Sequence, residues 1–402
     1  MNSRFKFFVV FASTALVVML LLGAVMGKSA PPEGPYRHLA VFTDVLSRIK
    51  SEYVEEPNMK MVTVGAVTGL LESIDPFASY LNADQYKDYL KKKDSYKGDV
   101  GLVLAKRAGF LSVVGAIPGS PAAQAGMMAG DWIDAIRGVA TRDMPLAYAE
   151  ILLRGEPGST IELSVFRSRR PDPQKITLTR AEISYPSLQT RMLAGETGHL
   201  RVETLETGKV AKVAEALRRL EAEGAKRILL DLRSCSTGAP EDGWALANLF
   251  LDKGTLGYTQ GQRVPRKNAE ADPGKTVCRL PLRVLVNRGT AGAAEIAAAA
   301  LLDNKRAEVV GDRTQQVGSI IRPIPLDDGG ALILSVAKFY SPAGKAIPDA
   351  GVTPTISKPE PESQVDFDEN GNPLTQQVTP EQQEAYRNAL EKYVEQIAEE
   401  WR

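Results

Sequence analysis

Few side chains in this 402-residue chain are equipped for covalent chemistry. It carries two histidines, His38 and His199, and two cysteines, Cys235 and Cys278, all far apart in sequence. A zinc site of the Cys/His type needs most of four such ligands together. No metal and no cofactor is therefore expected. A nucleophilic Cys235 would want a histidine or a cationic neighbour to hold its thiolate, and a small half-buried residue is the simpler reading. Cys235 follows the end of one apolar run and Cys278 precedes another. In a parallel sheet those points lie at opposite ends, about 16 Å apart over five residues of strand. A disulfide tolerates about 7 Å between Cα atoms, so two free thiols are expected. A serine nucleophile with a lysine base needs that lysine neutral, which desolvation achieves by lowering its pKa. Ser236, Ser319, Ser335 and Ser341, with Lys338 and Lys345, follow no recognisable template for such a pair. Turn and surface roles are the expectation for all six. Glu295 and Asp303 are read as solvated or helix-terminal charges, with the helix dipole favouring Glu295.

Lys plus Arg and Asp plus Glu both number 49, so there is no basic excess to hold a nucleic acid. The hydrophobic fraction of 44% is enough for a sizeable core. The length allows two or three domains at roughly 100 to 200 residues each.

These residues must be positioned by elements that the chain's rhythm outlines. Arg4 and Lys6 precede an uncharged apolar run from Phe7 to Gly27. That run matches the ~20 residues that cross a bilayer and exceeds a signal-peptide core of roughly 7 to 15. Residues 1–28 are expected to be a signal segment left uncleaved as an anchor. Leading positive charge puts the bulk of the chain on the periplasmic or extracytoplasmic side of the inner membrane. Residues 35–96 read as helices, with Leu39, Phe42, Val45, Leu46, Ile49 and Tyr53 on one face. Residues 97–181 change to short apolar runs bounded by Gly and Pro, a β-rich module. Residues 182–358 alternate helix and strand, and the fully apolar Ile228–Leu232 predicts a strand covered on both faces. Residues 359–402 form a polar tail ending in an amphipathic helix capped by Thr379 and Pro380, with Tyr386, Leu390, Tyr393, Ile397 and Trp401 on its apolar side. That face is too wide to leave in water, and a homodimer through it is expected.

Four motifs stand in one order. They are Asp75-Pro76-Phe77-Ala78-Ser79-Tyr80-Leu81; Ser120-Pro121-Ala122 through Ala125-Gly126 to Ala129-Gly130-Asp131; Asp231-Leu232-Arg233; and Phe339-Tyr340-Ser341-Pro342-Ala343-Gly344-Lys345. Together they resemble the carboxyl-terminal processing, or tail-specific, serine peptidases over most of residues 38–356. The resemblance implies an α/β fold: a crotonase-like (ClpP/crotonase) core with a PDZ module inserted after an N-terminal helical region.

The resemblance breaks at the chemistry. The family's serine lies at a helix start in a T/S-A-S-A-S-E-I segment, which here reads Thr290-Ala291-Gly292-Ala293-Ala294-Glu295-Ile296, leaving Gly292 at the serine position. The family's lysine position falls on Val317 and a dyad-orienting glutamine position on Ile321. Asp303 retains the carboxylate of the helix that follows the serine. The family's N-N-P-G-G donor loop becomes Ser234-Cys235-Ser236-Thr237-Gly238. Such a loop aims backbone N–H groups at a developing oxyanion, and Thr237 is not free to replace a glycine where φ is positive. Gly292 has nothing to attack with, and Val317 cannot take a proton. Losing either member of a serine protease's catalytic unit costs about a millionfold in turnover.

A catalytically inactive homologue is therefore expected, with an active endopeptidase using a rearranged site as the alternative. PDZ domains capture a C-terminal carboxylate on a glycine loop and add the peptide as a strand. By resemblance, Val100, Gly101, Leu102 and Val103 form that loop and strand start, with Leu146 and Ala149 lining the groove. The expected partners are exported polypeptide tails.

Overall fold

In the computed structural model, the described residues are 36–361 and 380–401, apart from 94, 108, 143 and 168–171, together with 11, 13, 14 and 16–19. Most of the expected anchor from Phe7 to Gly27, the Thr379 cap and the polar stretch 362–379 lie outside them. Among the described residues no helix is long and apolar enough to cross a membrane.

Contacts divide the chain into two units, 1–65 and 66–402. The first holds helix α1 (Tyr36–Glu52) and the start of α2 (Met59–Glu72). In α1, Leu39, Val41, Phe42 and Val45 are exposed.

The second unit carries three sheets. Strand β1 (Ser79–Leu81) and helix α3 (Ala83–Lys92) lead into the β-rich module. Asn82 starts α3 by accepting from Gln85 N, while the Gln85 side chain accepts from Asn82 N, a reciprocal cap. The module comprises β2 (Leu102–Arg107), β3 (Phe110–Ala116), α4 (Pro121–Gln124), β4 (Trp132–Ile136), β5 (Val139–Ala140), α5 (Leu146–Leu153), β6 (Thr160–Phe166) and β7 (Gln174–Thr179). Its sheet runs β2-β3-β4-β6-β7, with β5 on β4. Bridges Gly98–Gly155 and Asp99–Ala181 close its two ends. Arg180 is buried and donates to the carbonyls of Leu152 and Leu153, satisfying the end of α5.

The α/β part follows as β8 (Gln189–Leu193), β9 (Thr197–Arg201), α6 (Lys209–Ala222), β10 (Arg227–Asp231), α7 (Pro240–Asn248), β11 (Thr255–Gln260), β12 (Lys267–Glu270), β13 (Leu282–Val286), α8 (Ala293–Asp303), β14 (Ala307–Gly311), β15 (Ser319–Pro325), β16 (Ala331–Tyr340), α9 (Ile347–Ala350), β17 (Ile356–Ser357) and α10 (Pro380–Glu399). Strands β17-β14-β13-β10-β9 are parallel, and β8 adds antiparallel to β9. Alternation along β10 explains why its run is apolar throughout: Ile228 and Leu230 enter the main core with α6, α7 and α8, while Leu229 faces the other way. There Leu229, Leu285 and Val310 meet Tyr393, Val394 and Ile397 of α10. Tyr393, Ile397 and Trp401 of the expected apolar face are thus covered by the chain's own sheet, while Tyr386 and Leu390 lie outside this cluster. The last sheet, β1-β16-β11-β12 with β15 on β16, is antiparallel. Gly243 lets α7 approach the start of α8, since a Cβ there would meet Ala293 O at 2.2 Å.

Candidate functional site

The loops at the C-terminal ends of β10 and β13 meet at the start of α8, where open α/β sheets bind ligands. Ala291 N donates to Cys235 O at 2.9 Å, joining the two loops. Gly292 precedes α8 with φ +59° and ψ −119°, a conformation that side chains rarely adopt. A Cβ built there meets nothing within 4 Å. The position offers space but imposes strain.

Glu295, expected to be a solvated or terminal charge, lies in the first turn of α8 but is 0% exposed. Its Oε2 accepts from Gly292 N (3.0 Å) and Val317 N (2.7 Å). Its Oε1 accepts from Gln316 N (2.7 Å) and Thr314 Oγ1 (2.5 Å). One carboxylate thus fastens the start of α8 at Gly292 to the 314–317 loop. Burial pushes its pKa up to about 7, against four hydrogen bonds that favour the anion. Sequence reasoning missed this role. The signal was a carboxylate three residues into a helix opened by Gly, one half of a capping box.

Val317 packs against the apolar cluster of the β-rich module, and Ala291 is buried in the same cluster. Val317 is thus part of the contact between the two domains. Ile321 is 43% exposed in β15, so it does not orient groups at 292 and 317. Asp303 ends α8, about 16 Å of helix from Gly292, and accepts from Ala343 N. It serves the 341–345 turn and forms no pair with Glu295.

In the donor loop the strain expected at Thr237 falls elsewhere. Ser234 (φ +59°) and Gly238 (φ +108°) have positive φ, and Thr237 does not. Thr237 Oγ1 instead accepts from Leu205 N at 3.3 Å. Gly238 has to be glycine, because a Cβ would lie 2.4 Å from Leu205 O. Ser234 and Asn287 exchange hydrogen bonds of 2.9 and 3.2 Å. Cys235 and Cys278 are free and buried, and burial pushes both thiols up to about 12. Neither serves as a thiolate near neutral pH.

Some of the other serines and lysines named above have structural surroundings of their own. Ser341 Oγ accepts from the backbone N of Lys345, Ser335 Oγ is buried without a partner, and Lys338 pairs with Asp349.

Beneath the loops lies an ionic cluster. Asp231, fully buried, accepts from Arg233 Nε (2.8 Å) and Nη2 (2.7 Å) and contacts His199 Nε2 (3.2 Å). Burial pushes its carboxyl up, but Arg233, His199 and Arg201 win and hold it well below the usual range. Arg233 Nη1 also binds Glu360 at 2.7 Å, and its guanidinium lies 5.4 Å from the Tyr393 ring. The Asp231-Leu232-Arg233 motif thereby ties the core to the tail.

In the β-rich module, Val100, Leu146 and Ala149 are buried in the core and Leu102 and Val103 are half-buried. Gly101 N donates to Asp99 Oδ1 at 2.7 Å. A Cβ on Gly101 would strike Ser120 Cβ at 2.2 Å, with φ at +78°. Gly101 is therefore required by the module's own packing, and a bulky residue there would disturb the module itself.

Comparison with known proteins agrees with this layout. Residues 196–358 match peptidase family S41 and residues 112–167 match the PDZ domain. The chain is 32% identical over 371 residues to a carboxy-terminal-processing protease of Bartonella bacilliformis, covering 89% of this chain and 83% of that protein. It is 27% identical to the carboxy-terminal processing protease CtpA of Bacillus subtilis, covering 90% and 79%. Among solved structures, the photosystem II D1 C-terminal processing protease superposes with a TM-score of 0.65 at 26% identity, covering 80% of this chain and 92% of that one.

Proposed function

This chain belongs to peptidase family S41, with the carboxy-terminal-processing proteases, and from that premise we propose that it binds polypeptide tails without cutting them. The observation that carries the reading is Gly292. It stands at the start of α8 with no side chain, while the position that would hold the base is an apolar Val317 packed under the PDZ domain. The backbone that would present a nucleophile is kept, and the reacting atoms are gone. The PDZ domain, taken as 97–181, supplies recognition through the edge of β2, beginning at the half-buried Leu102 and Val103. The α/β core, taken as 182–358, is read as crotonase-like. Its support is the parallel β9–β14 sheet with α6, α7 and α8 on one face and α10 on the other, together with the separate antiparallel β11–β16 sheet. Export and anchoring by Phe7–Gly27 complete the reading, so the bound tails are those of exported polypeptides.

The test is incubation of the purified protein with unfolded casein and, separately, with a fluorophosphonate serine probe. No fragments and no labelling are expected. Cleavage that disappears on substituting one particular serine would establish the alternative, an endopeptidase with a rearranged site.

A further inference from the structure

Among the described residues, strand β2 is an edge of the PDZ sheet and pairs only with β3. With Arg107 opposite Phe110 and Lys106 opposite Leu111, alternation turns the Lys106 N–H away from β3. That outward N–H is already used: it donates to Pro76 O at 3.3 Å. The next residue, Phe77, is 8% exposed and belongs to the same apolar cluster as Leu104, Leu146, Ala149 and Leu153. A main-chain hydrogen bond to an edge strand and an adjacent apolar side chain turned into the module's core are the two elements of strand-addition binding. Here the chain supplies both itself.

The segment is also clamped. Asp75 Oδ1 accepts from Phe77 N (2.9 Å) and Oδ2 from Ser335 N (3.0 Å). Lys106 Nζ binds Glu72 at 2.6 Å with its side chain only 3% exposed. Beside the segment lies a cavity of about 530 Å³, lined by Glu72, Phe77, Lys106, Gln316 and Pro348 among others. It gives Phe77 room to withdraw without displacing the core.

We propose that Pro76 and Phe77 are an internal pseudo-ligand of the PDZ domain, and that an incoming peptide with a free apolar C-terminus binds β2 by displacing them. The proposal rests on the tail-binding reading above. Its consequence is that the resting protein is a weakened binder by construction. The cavity also borders Gln316, whose backbone N–H donates to Glu295, so withdrawal of Phe77 would be felt at the 314–317 loop.

Two measurements on the full chain test this separately from the tail-binding reading. In hydrogen exchange without ligand, the Lys106 amide should be protected, and Phe77→Ala should accelerate it at least tenfold while Ile228–Leu230 in β10 stay protected. Free exchange at Lys106 in the wild type would overturn the proposal. In anisotropy, a fluorescein-labelled decapeptide ending in a free valine should bind Phe77→Ala at least tenfold more tightly than wild type. Equal affinity for both proteins would overturn the internal ligand while leaving tail binding intact. If neither binds, tail binding fails, and accelerated exchange in Phe77→Ala would still support the internal contact. Asp75→Asn, which loosens the clamp and keeps Phe77, should shift both readouts the same way by a smaller factor if Phe77→Ala folds poorly.

Discussion

Glu295 Oε2 lies 2.7 Å from the backbone nitrogen of Val317 and 3.0 Å from that of Gly292. A buried acid thus ties the start of α8 to the 314–317 loop. The link has a measurable pH signature. The folded-state pKa of about 7 exceeds the ordinary 4.5. Between those values the folded protein holds a proton that the unfolded chain has released, so stability falls as pH rises. The loss begins near pH 4.5, is complete above about pH 7, and amounts to about 3 kcal/mol for such a shift. Urea titrations at pH 5 and pH 8 should show it in the wild type and not in Glu295→Gln. An equal slope in both proteins would assign the effect elsewhere.

Asp231 has the opposite sign. Its folded-state pKa is depressed, so its contribution is present above the ordinary carboxylate range and is lost as pH falls below it. Removing its main partner leaves the buried carboxylate with only His199 at 3.2 Å and Arg201 at 3.6 Å. Arg233→Met should therefore cost about 3 to 5 kcal/mol at pH 7, read from the urea midpoint. Because Arg233 also holds Glu360 and stacks on Tyr393, proteolysis should reach the tail faster in this variant.

Gly292→Ser should fold, since nothing lies within 4 Å of the added Cβ. The positive φ should cost about 1 to 2 kcal/mol in thermal or urea denaturation. Adding Val317→Lys puts an amine into the contact with the PDZ cluster, and casein should remain intact with both changes. Fragments from the double variant would show that the loop 234–238 still supplies an oxyanion site.

The tail helix docks on Leu229, Leu285 and Val310. Ile397→Ala should destabilise the protein by about 2 to 5 kcal/mol through the cavity it leaves. Light scattering should give the same mass for this variant as for the wild type. A fall from dimer to monomer would restore the intermolecular role.

Both cysteines should resist iodoacetamide at pH 8 in the folded protein and react on unfolding, because their thiols lie near 12. Rapid labelling of the native state would mean that the 234–238 loop opens.

Much of this could be read from residue order. β13 falls on Leu282–Val286 as its apolar run predicts, and α6 follows the spacing of Val210, Val213, Leu217 and Leu220. Such runs are legible because one element buries a continuous face. The β11–β16 sheet was not legible. β15 carries Pro323 and Pro325 and is largely exposed, and β11 includes Gly257, so neither shows strand alternation. That residues 292 and 317 carry no reactive side chain needed only their identity. The role of Glu295 needed the fold, because its partners Thr314, Gln316 and Val317 lie about twenty residues on and reach it only once the 314–317 loop packs beside α8. The engagement of β2 by Pro76 was hidden for the same reason, since Lys106 lies thirty residues from it.

The torsions at Gly292 make change at that position run unequally in its two directions. A chain with serine there holds φ near +59° against its own Cβ, and exchanging that serine for glycine releases the strain. The reverse exchange must reimpose it, and does so with Val317 already committed to an apolar contact. Glycine is thus the relaxed occupant of this backbone and any side chain at 292 is uphill in folding free energy, so exchange at this position behaves as a ratchet.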